Sequence, residues 1–184
     1  MYLPFEIACV LVRDEKTHRD TFAHSASYIA GTNRGVIAGG LPFAELGIEL
    51  TRSFKALKAW MSLKAYGIQT FVELIRQNVA QAQYLATIIK EQRKLELLAP
   101  VALNTVCFRY LDADLDEEAL NRMNNEILQR VQESGVAIPS STIFDGKFVL
   151  RVAIVNHRSK REAFELLIKI IKYGSIILQE WKNS

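Results

Sequence analysis

The chain has 184 residues, 49% of them hydrophobic and 23% charged, a balance that can bury a core without disulfides or a structural metal. Its 23 Lys and Arg stand against 20 Asp and Glu, and the resulting +3 is spread along the chain, which argues against nucleic acid or an anionic membrane surface as partner. No run approaches the ~18 uninterrupted apolar residues of a spanning helix, and MYLPFEIACVLVRD has no basic start of a signal peptide, so a soluble cytoplasmic protein is expected.

Residues 5–13, FEIACVLVR, predict a strand with apolar side chains on both faces, the pattern of a strand covered on both sides of a sheet. No second strand of that kind follows closely. Residues 14–47 are broken by Gly31, Gly35, Gly39, Gly40, Pro42 and Gly47 and predict mostly loop, long enough to suggest a functional segment. In 46–67, Leu50, Phe54, Leu57 and Met61 recur at helical spacing, with Arg52, Lys55 and Lys58 on another face. This predicts one amphipathic helix, ended by Gly67 at its C′ position. Residues 68–92 predict a second helix.

The remainder predicts strands at 95–98 and 105–111 and a helix at 115–133, opened by Asp114 with Glu117 three residues later. An extended piece at 136–143, a turn at Asp145-Gly146 and a strand at 147–155 follow. Ser159 and Glu162 form a capping-box pattern for a last helix that buries Phe164, Leu167, Ile168 and Ile171. The order strand-strand-helix-strand-strand-helix predicts an antiparallel sheet with helices on one face.

Few residues invite chemistry. Arg151 lies mid-strand in FVLRVAIV, where a guanidinium is costly unless an anion pairs with it; its planar fork suits a carboxylate, whether from this chain or from a ligand. His18, His24 and His157 have no metal-ligand spacing and no partnered nucleophile, and no metal is expected. Cys9 and Cys107 fall in strand-like apolar runs and predict buried free thiols. The glycines of 31–40 lack the context of a phosphate loop.

Five blocks, taken together and in order, carry a resemblance: YLPFEIACVLVRD, TFAHSASYI, LGIELTRSFKALKAWMSLKAYG, NTVCFRY and GKFVLRVAIVNHRS. They resemble the C-terminal part of the pyridoxal-phosphate-dependent decarboxylases of the aromatic-L-amino-acid type, over about residues 1–158. The resemblance implies a fold running from α/β to α+β, the C-terminal portion of a PLP-dependent transferase-like fold. Its parts would be 1–47, a remnant of the cofactor domain with the active-site loop; 48–92, a helical connector; and 93–184, a small α+β domain.

The same resemblance implies a departure. The family's Schiff-base lysine lies in Asp-x-His-Lys-Trp, and the residue matching Met1 follows that Trp, so the lysine would lie two residues upstream of Met1. The chain would then be a fragment of an amino-acid decarboxylase, inactive alone. It would seek a second copy or its missing N-terminal half as partner, and its cofactor would be pyridoxal 5′-phosphate. Residues 24–47 match the family's loop that closes over the site. Family members often place a proton-donating tyrosine there; an ungapped count from Arg52 puts Phe43 at that place, with Tyr28 and His24 as other donors. Without a phenol, the parent could instead be an aldehyde synthase. Arg52 falls on the family's basic helix and Arg151 on a small-domain arginine near the substrate carboxylate. A rival expectation is that 95–184 is a non-catalytic α+β interaction or dimerisation module.

Overall fold

The computed structural model describes residues 2, 3, 6–23, 34, 35 and 43–182, with backbone alone over 174–182. The chain forms two compact units, one of Leu3–Gly67 and one of Ile68–Ser184 together with Met1–Tyr2. They part at Gly67.

In the Leu3–Gly67 unit the strand expected over 5–13 does not form among the described residues, 6–13. The described residues there are irregular and open, with Val10 and Leu11 81% and 93% exposed. Cys9 is exposed rather than buried. A strand is stable only against neighbours that accept its backbone groups, and every strand of this chain's sheet lies between Leu95 and Ala153.

The segment expected to be mostly loop contains α1, Glu15–Phe22, and a single 3-10 turn, Phe43–Leu46. Asp14 starts α1 by accepting a 2.6 Å hydrogen bond from the Thr17 N–H, a side-chain N-cap. The helix expected over 46–67 is shorter: α2 is Lys55–Tyr66, and 47–54 are bends and irregular chain. Gly47 and the β-branched Ile48 and Thr51 give that stretch low helix propensity. At the other end Gly67, at φ +75°, receives the expected cap, its N–H donating to the Leu63 carbonyl at 2.9 Å.

The larger unit follows the expected order. α3 is Ile68–Lys90, β1 Leu95–Leu97, β2 Thr105–Tyr110 and α4 Glu117–Glu133. β3 is Ser140–Phe144, β4 Lys147–Ala153 and α5 Arg161–Lys182. The sheet is antiparallel throughout, in spatial order β1-β2-β4-β3. Leu120, Met123, Ile127 and Val131 of α4 recur at three and four residues and are all buried. Phe164, Leu167, Ile168 and Ile171 of α5 are buried as expected. These stripes, with Leu85 and Ile89 of α3, meet Val106, Phe108, Tyr110 and Leu150 in one core, so the helices share one face of the sheet. Phe108 and Leu150 face each other at 0% exposure, each contributing roughly 1.5–3 kcal/mol of apolar burial.

Two start signals differ from expectation. The N-cap of α4 is Asp116, whose carboxylate accepts from the Ala119 N–H at 2.7 Å, and not Asp114. Glu117, expected in that capping box, bonds Arg109 instead.

Candidate functional site

The β-strand alternation sorts the sheet's side chains. With Val106, Phe108 and Tyr110 turned to the helices, Cys107 and Arg109 point to the opposite face. There the register sets Glu96 opposite Arg109 and Arg151 between Cys107 on one side and Ser140 on the other. Cys107 is half-buried rather than buried.

Two arginines therefore share this face in different electrostatic states. Arg109 is 4% exposed; its Nε donates to Glu96 at 2.8 Å and its Nη1 donates to Glu117. Burial works against its charge, but the hydrogen bonds to Glu96 and Glu117 outweigh that and raise its pKa further. Arg151 is half-buried, and its Nη1 donates to the Ser140 hydroxyl at 3.3 Å. Among the described residues no carboxylate pairs with it. The intraprotein acid that a mid-strand arginine calls for thus belongs to Arg109. The guanidinium of Arg151 retains donors for an anion from outside the unit.

Arg109 is the residue that sequence reasoning missed. Its signal was available: it alternates with Val106, Phe108 and Tyr110, as Arg151 does with Leu150 and Val152.

The remaining candidates lie in the Leu3–Gly67 unit. Arg52 is outside any helix, and its Nη2 donates to the Phe43 carbonyl, bringing these two residues together. Phe43 opens the 3-10 turn and is 72% exposed. Arg19 of α1 clasps Glu45 of that turn through Nε at 3.1 Å and Nη2 at 2.7 Å. α1 and the turn bracket residues 23–42, so this pair ties the two ends of that stretch. His24 and Tyr28 lie outside the described residues. Lys55 reaches Glu6 at 3.8 Å.

A groove of about 660 Å³ lies on the helix side between α3 and α5, lined by Tyr84, Ile88, Leu166, Ile170 and Tyr173 among others. The Tyr84 hydroxyl donates to Glu165 at 2.5 Å, and that bond raises the phenol's pKa. None of the arginines above lines it.

The first 111 residues match the family model described as the pyridoxal-dependent decarboxylase conserved domain. The chain belongs to this decarboxylase family. It is 30% identical over 172 residues to the aromatic-L-amino-acid decarboxylase of Bacillus atrophaeus, spanning 92% of this chain and 36% of that protein. It is 32% identical over 130 residues to the phenylacetaldehyde synthase of Arabidopsis thaliana, spanning 68% of this chain and 26% of the relative. Among solved structures it is similar to Oryza sativa TDC with PLP and tryptamine, at TM-score 0.66 and 27% identity over 71% of this chain and 28% of that one. The chain thus spans about a third of the length of these decarboxylases.

Members of this decarboxylase family use pyridoxal phosphate, which needs a lysine amine and a phosphate cradle. Three of the described lysines are already engaged: Lys16, Lys55 and Lys94 hold exposed or partly exposed ion pairs with Asp20, Glu6 and Asp112. Lys94 is pushed above its ordinary pKa by the Tyr110 hydroxyl and Asp112, away from the neutral amine that a Schiff base requires.

Proposed function

We propose that this chain is the C-terminal portion of an amino-acid decarboxylase, a carboxy-lyase that removes the α-carboxylate of an L-amino acid, and that it is inactive alone. The observation that carries this reading is its likeness to the Bacillus atrophaeus aromatic-L-amino-acid decarboxylase, which spans nearly all of this chain and little more than a third of that enzyme. The lysine and phosphate cradle come from the part of the protein that precedes these residues, and that part, or a second copy of the whole, is the partner.

In the assembled enzyme Arg151 binds the substrate carboxylate. Its planar fork matches two carboxylate oxygens, and the Ser140 hydroxyl at 3.3 Å steadies it. Residues 24–47 exclude water from the reacting carbon. Their stem is set by Arg19 with Glu45 and by Arg52 with the Phe43 carbonyl.

The test is reduction. Purified chain is incubated with pyridoxal phosphate, treated with borohydride and mapped by mass spectrometry. Scattered substoichiometric labelling of surface lysines is expected; one lysine labelled stoichiometrically overturns the proposal. In the same gene, an in-frame Asp-x-His-Lys-Trp codon run directly 5′ of Met1 is expected. In the extended protein, Arg151→Ala raises KM for the amino acid and leaves cofactor affinity unchanged.

A further inference from the structure

α5 carries more apolar surface than the core uses. Phe164, Leu167, Ile168 and Ile171 are buried in the core, yet Leu166, Ile170 and Tyr173 recur at four and three residues as a second stripe beside them. Leu166 is 43% exposed and Tyr173 66%. α3 repeats the pattern on a smaller scale: Leu85 and Ile89 are buried, with Tyr84 and Ile88 one residue to the side. These side stripes line the groove between the two helices, and its volume of about 660 Å³ lies in the range of small-molecule sites.

Polar bonds cross between the helices at two places in this groove. The Tyr84 hydroxyl donates to Glu165, and Lys172 Nζ donates to Gln92 Oε1 at 2.9 Å. Along α3 these two ties stand roughly 12 Å apart. The apolar side chains between them form a floor long enough for an aromatic ring and the carbons that carry it.

Two opposite charges line the same groove without neutralising each other. Lys169 stands on the α5 stripe between Leu166 and Tyr173, and it enters no ion pair among the described residues. Glu165, four residues before it, is turned to Tyr84 instead. Glu91, just past the end of α3, also lines the groove and enters no ion pair among the described residues. The Glu165 bond is the main cause of the raised Tyr84 pKa, and the charge of Glu91 adds to it, so negative potential converges on this groove.

These features select a ligand chemistry. A plain hydrocarbon would strip water from Lys169 and Glu91 and put nothing in its place. An apolar carboxylate would leave Glu91 unanswered, and an apolar amine would leave Lys169 unanswered. A zwitterion with a large apolar body answers both, and the Tyr84 and Tyr173 rings suit an aromatic one. We propose that the α3–α5 groove is a binding site for a free aromatic α-amino acid, with its ring on Ile88, Leu166 and Ile170, its carboxylate on Lys169 and its ammonium on Glu91. The site is on the opposite side of the sheet from Arg151, and it does not depend on the decarboxylase reading.

The test is titration of the full chain with L-phenylalanine, followed by amide NMR shifts. Saturable shifts over residues 84–92 and 165–173 are expected. Phenethylamine, which lacks the carboxylate, and 3-phenylpropionate, which lacks the ammonium, should each bind about fivefold more weakly. L-Alanine, which lacks the ring, should not saturate. Lys169 and Glu91 are exposed, so their substitution leaves the fold intact. Lys169→Gln should weaken L-phenylalanine about fivefold and leave phenethylamine unchanged, and Glu91→Gln should weaken it about as much and leave 3-phenylpropionate unchanged. Arg151→Ala should leave the titration as it is, which separates this site from the substrate carboxylate of the proposed reaction. The proposal is overturned by the absence of saturable shifts, by shifts centred on Arg151, or by phenethyl alcohol binding as tightly as L-phenylalanine. Variants that weaken both analogues alike overturn it too.

Discussion

The side-chain amide of Asn124 completes both backbone hydrogen bonds of Tyr110: the Tyr110 N–H donates to Oδ1 at 2.7 Å and Nδ2 donates to the Tyr110 carbonyl at 2.9 Å. The β2–β4 ladder ends one pair earlier on the strand's own alternation, at Phe108↔Leu150. Beyond it the strands separate and α4 fills the gap. Asn121, one turn before Asn124, does the same for β4, accepting from the Phe148 N–H at 2.6 Å and donating to the Gly146 carbonyl at 2.9 Å. Asn124 is 0% exposed, so Asn124→Ala leaves buried backbone groups unpaired and should cost about 3 kcal/mol. Asn121→Ala, nearer the surface, should cost about 1 kcal/mol. Urea unfolding of the two variants checks the order and the gap.

Arg109 predicts an asymmetric response. Its side chain is 5% exposed, whereas those of Glu96 and Glu117 are 36% and 48% exposed. Removing the cation frees two carboxylates that water can reach, so Arg109→Met should change stability by no more than about 1 kcal/mol. Removing both anions strands a buried guanidinium, and Glu96→Gln with Glu117→Gln should cost about 3 kcal/mol. Equal losses in the two variants by thermal unfolding would contradict this account.

That contrast also shows why some of the molecule was legible in the sequence and some was not. The helix stripes of α4 and α5 and the turn at Asp145-Gly146 read correctly because their partners lie within the same 90-residue stretch, where apolar spacing reports burial directly. Ile7–Val12 has the same kind of pattern but no neighbouring strand in this chain's sheet, and the pattern alone does not make one. Arg109 and Arg151 looked alike as mid-strand cations. Register, not local sequence, sets Glu96 across from Arg109 and Ser140 across from Arg151. The ties from Arg19 to Glu45 and from Arg52 to the Phe43 carbonyl span 26 and 9 residues of irregular chain, which no periodicity encodes.

Asp14 gives α1 a pH dependence. The Thr17 side chain first, and then its backbone N–H, hold the Asp14 carboxyl below its ordinary value. A folded-state pKa below the unfolded one contributes stability that is complete above the ordinary carboxylate range. That contribution is lost as pH falls through the lowered value. The Thr17 amide should therefore lose its capped chemical shift on acidification, with a midpoint below that of a free aspartate. In Asp14→Asn the side-chain oxygen still accepts but does not titrate, so the midpoint should vanish while the cap persists. An NMR titration of both proteins distinguishes the cases.

The Asp145-Gly146 turn fixes the register of the β3 edge, and its two residues should respond differently to substitution. Both have φ in the left-handed region, which the two-residue hairpin requires because its twist matches that of the strands. A Cβ on Gly146 would meet nothing within 4 Å, so Gly146→Ala carries backbone strain alone, about 1 kcal/mol. Asp145→Asn keeps a residue type that tolerates this conformation and should be close to neutral. A slipped turn would move Ile143 to the opposite face of the sheet, so the cross-strand contact between Phe144 and Lys147 is the feature to follow. In Gly146→Ala the urea midpoint should fall while that contact and the denaturant slope are kept; loss of the contact would mean that the register depends on the glycine itself.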